Sequence, residues 1–207
     1  MSATSIELDY YLTPVSPWTY LGARRFRNIV EKHNAVVNVR VVDYGVIFPQ
    51  TGGLPLPKRA PARQAYRLKE LARFRDFLSI PLIVEPAHFP SRTRLTAYTI
   101  LAAVEQGGSR HGLIASEAVL KGLWAEEKDM DDHNAVIKTL ENAGLDGKTL
   151  VQMATSNSSI FDSRIAADTE KALDQGVFGA PSYVFDGEVF WGQDRLDLLS
   201  WRLDGAA

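Results

Sequence analysis

Near the start of this chain, Ser16-Pro17 joins a hydroxyl to the residue type that best opens a helix. Proline at the first helical position makes the serine an N-cap, a role worth about 1 kcal/mol on its own. The same hydroxyl would stand beside free backbone N–H groups and the positive helix end, and both favour a thiolate. A plain cap and a sulfur-binding donor are thus two compatible readings of Ser16. No histidine in the sequence is a clear base partner for it, so a nucleophilic role is not assigned.

Three further groups carry charge or geometry that chemistry could use. Gly176-Val177-Phe178-Gly179-Ala180-Pro181 sets a proline, preceded by two glycines, directly before a β-rich run. A cis X-Pro bond fits there. Arg59, Arg63 and Arg67 recur at i, i+4 and i+8, with Lys58 and Arg73 extending the basic stretch. For Lys58 and Arg59 the reading is a clamp for a substrate carboxylate; for Arg67 and Arg73 it is a solvated face. Asp194, just after Trp191-Gly192 and before Arg195, either charges the first turn of a last helix or binds an ammonium group. Trp191 is equally readable as core or as pocket wall. His33, His88, His111 and His133 lack metal-ligand spacing. Asp129, Asp131 and Asp132 lack the glycine and terminal glutamate of a calcium loop. No metal site is expected.

Composition limits the classes of function. The 207 residues suit one domain, or one domain with a sizeable insertion. A net charge of −2 argues against non-specific nucleic-acid binding, which needs a basic excess. The absence of cysteine excludes disulfides, thiolate metal sites and redox chemistry by the chain's own sulfur. With no signal-like start and no apolar run of spanning length, the expectation is a cytoplasmic protein without membrane partners.

The elements that position these residues follow from pattern. Ser5 to Leu12 reads as a first strand, Pro17 to about His33 as a helix stopping near Asn34, and Val36 to Val42 as a second strand. Together they form a right-handed βαβ unit. Tyr44 to Pro61 holds four of the ten prolines and Gly52-Gly53, and is expected to be an irregular loop. Helical patterns follow over Ser91–Gln106, Leu113–Glu127, Met130–Ala143 and Phe161–Asp174. Ser182–Phe185 and Glu188–Trp191, joined by Asp186-Gly187, read as a hairpin, with a last helix from about Gln193 to Leu203. This layout predicts an α/β, thioredoxin-like fold with a large all-helical insertion between its βαβ and ββα halves. The expected boundaries are residues 1–60 and 163–207 for the thioredoxin-like part and 61–162 for the insertion.

The chain resembles the 2-hydroxychromene-2-carboxylate isomerases, relatives of kappa-class glutathione transferases and of bacterial disulfide oxidoreductases. The matching pieces are Ser16-Pro17-Trp18-Thr19-Tyr20-Leu21, Gly52-Gly53-Leu54-Pro55 with the following helix expected from Arg59 to Leu71, Ile80-Pro81-Leu82, Val177-Phe178-Gly179-Ala180-Pro181 and Trp191-Gly192-Gln193-Asp194-Arg195-Leu196. The resemblance implies a glutathione-dependent cis-trans isomerase of a conjugated aromatic 2-oxo-acid, with Ser16 as the catalytic residue at the glutathione sulfur. It further implies cofactor contacts from Ala180 and Pro181 and from Trp191, Gly192, Gln193 and Asp194. Substrate contacts would come from Lys58, Arg59 and Phe89, the last standing where the family has a tyrosine. Relatives are often homodimers. The alternatives are a kappa-like glutathione transferase, another glutathione-using enzyme, or a non-catalytic binding protein.

Overall fold

A computed structural model describes residues 6–206. The sheet has four strands in the order β2-β1-β3-β4: β1 (Glu7–Leu12), β2 (Val36–Val41), β3 (Ser182–Phe185) and β4 (Glu188–Trp191). Ser5, expected to open β1, lies outside the described residues. β1 and β2 run parallel around α1 (Pro17–His33), while β3 is antiparallel to both β1 and β4. Between the halves lie α2 (Tyr44–Thr51), a 3-10 turn (Leu56–Lys58), α3 (Pro61–Leu78), α4 (Arg94–Ala125), α5 (His133–Asn142), α6 (Gly147–Ser156) and α7 (Ser158–Asp174). A 3-10 turn (Gln193–Arg195) leads into α8 (Leu196–Asp204). The fold is thus the expected α/β, thioredoxin-like one with a helical insertion. Among the described residues no helix is long and apolar enough to cross a membrane.

Local signals explain most boundaries. Ser16 caps α1, and Asn34 ends it in the left-handed region at φ 48, with its N–H returned to Glu31 O. Asp186 (φ 51) and Gly187 (φ 76) make the hairpin turn between β3 and β4. The expected break at Gly107-Gly108 is a kink inside α4, where both residues leave helical geometry.

One expectation is corrected. Tyr44–Thr51 is a helix, not an irregular loop, despite Pro49 inside it. Asp43 caps it by accepting from Gly45 N at 2.7 Å. Burial of Tyr44 and Ile47 in one cluster with Ala172 of α7 outweighs the hydrogen bond that proline cannot make.

β1 is buried on both faces because alternate residues meet different layers. Leu8, Tyr10 and Leu12 join the main core with Phe26 of α1 and Ile100 of α4. Tyr11 joins the smaller cluster under α2 and α7. Asp9, on that same face, belongs to an ionic network that ties α7 to the sheet. Arg40 of β2 donates to Asp9 at 2.6 Å and to Asp168 at 2.5 Å, Arg164 to Asp168 at 3.0 Å, and Lys171 lies 3.1 Å from Asp9.

Burial alone would raise the Asp9 pKa, but hydrogen bonds from Arg40, Gln175 and Lys171 outweigh it and hold it below the ordinary 3.8. A lowered folded value means the contribution to stability is complete above pH 3.8 and lost as pH falls through the lower folded value. Denaturant midpoints are therefore expected to drop as acid is added in that window, and Asp9→Asn should flatten this part of the profile.

Candidate active site

The carboxyl end of β1 delivers the chain to Ser16. Ser16 N donates to Thr13 O at 3.2 Å, closing the turn between strand and helix. The serine Oγ accepts from Thr19 N at 3.2 Å and the residue is only 8% exposed. Its own O–H donates to no acceptor among the described residues. A buried hydroxyl with an uncommitted proton, set in the positive field of α1, can donate to an anion.

Sheet register brings the proline segment to the same place. Ser182 pairs with Tyr11 of β1 on one side and with Trp191 of β4 on the other. The Ala180–Pro181 bond just before it is cis. Gly179 O accepts from Tyr44 OH at 2.8 Å and from Ser182 Oγ at 2.7 Å, while Gly192 N donates to Pro181 O at 2.9 Å. These bonds tie the segment to α2, to β3 and to the end of β4. Tyr44 is a residue that sequence reasoning missed, because it lies in the stretch read as a loop. Its burial pushes the phenol pKa well up, so it stays a neutral donor.

Ser16 and Ala180 line one cavity of about 880 Å³. Trp191 also lines it, 50% exposed, with its ring 4.7 Å from that of Phe178 and packed against Gly179. Phe89 and Trp18 add aromatic wall, and Arg59, Arg63 and Arg67 form a basic side. Arg59 Nε donates to Leu54 O at 2.8 Å, which leaves the rest of its guanidinium free to bind.

Four expected site residues lie beyond the lining, and Pro181 is a fifth. Lys58 is exposed and ends the 3-10 turn, while its neighbour Arg59 faces in. Gly192 stands at φ 104, a backbone conformation reserved for glycine, and allows the turn after β4. Gln193 is 2% exposed, and both its side-chain oxygen and its backbone carbonyl accept from Arg25, at 2.8 and 3.0 Å. Asp194 is exposed and paired with Arg195 at 3.0 Å. Arg67 is corrected in the other direction. Expected on a solvated face, it is half-buried in the cavity wall, 5.6 Å from the Phe89 ring and 5.8 Å from Trp124. None of the four histidines lines the cavity, and among the described residues no group of acidic or histidine side chains could hold a metal.

Known proteins share this architecture along nearly the whole chain. A 2-hydroxychromene-2-carboxylate isomerase of Sphingobium xenophagum is 26% identical over 199 residues, covering 95% of this chain and 98% of that protein. The glutathione s-transferase kappa 2 of Caenorhabditis elegans is 24% identical over 204 residues, covering 91% and 88%. A solved structure of 2-hydroxychromene-2-carboxylate isomerase matches with a TM-score of 0.78 at 21% identity, covering 97% of this chain and 95% of that one. The family model for the DSBA-like thioredoxin domain matches residues 7–204. With β1, α1, the proline segment and the final hairpin all inside that match, the chain belongs to the DSBA-like thioredoxin domain family.

Proposed function

We propose that this protein is a glutathione-dependent cis-trans isomerase of a conjugated aromatic 2-oxo-acid, working in the cavity between Ser16, Ala180 and Arg59. The observation that carries the reading is the Ser16 hydroxyl: buried, with its proton uncommitted, in a chain without cysteine. The names of the isomerase relatives support the reaction type, and the kappa-class relative supports the cofactor.

The residues fit the tripeptide. Ser16 offers a donor to sulfur, the Ala180 backbone before the cis bond offers pairing to a peptide, and Asp194, exposed outside the lining, offers a carboxylate to an ammonium group. When bound, glutathione supplies a thiolate that adds reversibly to a conjugated double bond and so permits rotation. Ser16 and the start of α1 favour the charged sulfur over the thiol. Arg59 holds the substrate carboxylate. Phe89 and Trp18 cover the aromatic frame and keep water from it. A cytoplasmic setting, where glutathione is reduced, suits this chemistry.

The test mixes purified protein with a hydroxychromene carboxylate, with and without glutathione, and follows the ultraviolet spectrum. A catalysed change that needs glutathione is expected. No change, or an equal change without the thiol, overturns the proposal. The kappa-class relative supports a second reading as a glutathione transferase. Turnover with chlorodinitrobenzene and none with the chromene would select it, while tight glutathione binding with neither activity would select a binding protein.

A further inference from the structure

Three guanidinium groups on one cavity wall have no counter-charge within 4 Å among the described residues. Arg59 lies just before α3, and Arg63 and Arg67 are one turn apart on it. None of the three forms an ion pair among the described residues, although their neighbours do. Arg73 pairs with Glu70, Arg75 with Asp76, and Arg94 faces Asp162 at 4.0 Å. Neither of the two carboxylates on the cavity wall pairs with any of the three. Asp43 accepts from Gly45 N at the start of α2, and Asp162 accepts from Tyr98 OH at 2.5 Å beside Arg94.

The three cations also crowd one another. Burial and the charge of Arg59 push the Arg67 pKa down, as burial and Arg63 do for Arg59. The rings of Phe89 and Trp124 offset only part of the cost of desolvating Arg67. One carboxylate engages one guanidinium fork in a bidentate pair. A monoacid held by Arg59 therefore leaves Arg63 and Arg67 for another anion, either a second group of the substrate or a carboxylate of bound glutathione.

We infer that the substrate of this cavity is a conjugated diacid, with one carboxylate on Arg59 and a second anionic group on Arg63 and Arg67. The inference rests on the isomerase reading for the conjugated frame and adds the second charge to it. The second anion is defined by its charge and its planar or tetrahedral oxygens; a carboxylate or a sulfonate satisfies it. Phe89 and Trp18 then carry the unsaturated part between the two anchored ends.

Two unreactive probes of one frame, cinnamate and 4-carboxycinnamate, test this by calorimetry on the full chain without glutathione. The diacid is expected to bind about tenfold more tightly, and added salt should narrow the gap. Arg67→Gln and Arg63→Gln should each cut that preference to roughly threefold or less, with cinnamate binding kept, which also reports that each variant is folded. Equal or undetectable binding of the two acids overturns the inference. So does an Arg67→Gln protein that keeps the preference but loses affinity for glutathione, since the guanidinium would then serve the cofactor. An intact diacid preference in a protein that binds no glutathione supports the second anion site and removes the isomerase reading instead.

Discussion

Ser16→Ala is expected to lower the glutathione-dependent rate by about a hundredfold, the scale for losing one buried donor to a developing anion. The substitution deletes a buried hydroxyl at the mouth of α1 that donates to no acceptor among the described residues. It should also raise the pKa of bound glutathione, because the thiolate loses a hydrogen bond while keeping the helix field. The cost in folding is limited to the bond from Thr19 N, about 1 kcal/mol, so the variant should remain folded. Thiolate absorbance followed across pH measures the pKa directly. An unchanged pKa would reduce Ser16 to a helix cap.

Gly179→Ala should weaken glutathione binding by an amount on the order of tenfold or more and destabilise the fold by about 1–3 kcal/mol. A Cβ at this position would strike the Trp191 indole at Nε1, Cε2 and Cδ1. Either the ring leaves the cavity wall or the Gly179 segment moves. The second response strains the bonds from Tyr44 OH and Ser182 Oγ to Gly179 O, which anchor the stretch before Pro181. Tyr44→Phe separates the two effects. It removes one of those donors without filling space, so stability should fall by about 1 kcal/mol while binding changes less than in Gly179→Ala. Calorimetric titration with glutathione and denaturant melts of both variants give the comparison. Unchanged binding in Gly179→Ala would remove Trp191 from the proposed cofactor site.

Some of this molecule was legible residue by residue. Ser16-Pro17 announces α1, Asn34 ends it, and Asp186-Gly187 joins β3 to β4. Each signal is satisfied by backbone groups only a few positions away, so the local sequence carries it. The alternation of β2 is equally local. The motifs around Ser16, Pro181 and Trp191 carried the resemblance, and their convergence follows once Ser182 is paired with both Tyr11 and Trp191.

The rest was decided by partners distant in the chain. Pro49 and Gly52-Gly53 spell a loop, yet Tyr44–Thr51 is helical because α7 and the β3 face bury one side of it. Gln193 carries a family motif, but Arg25, 168 residues away, takes its side chain. Arg67 has the same spacing a solvated arginine would have. What differs is what stands opposite, Phe89 and Trp124, and periodicity records only which face a residue shares, not what that face meets. The sequence by itself determined the strand-and-helix order, the caps and the lack of a thiol. Only tertiary packing decided which cations line the cavity, because the desolvation that sets their role comes from surfaces assembled across the whole chain.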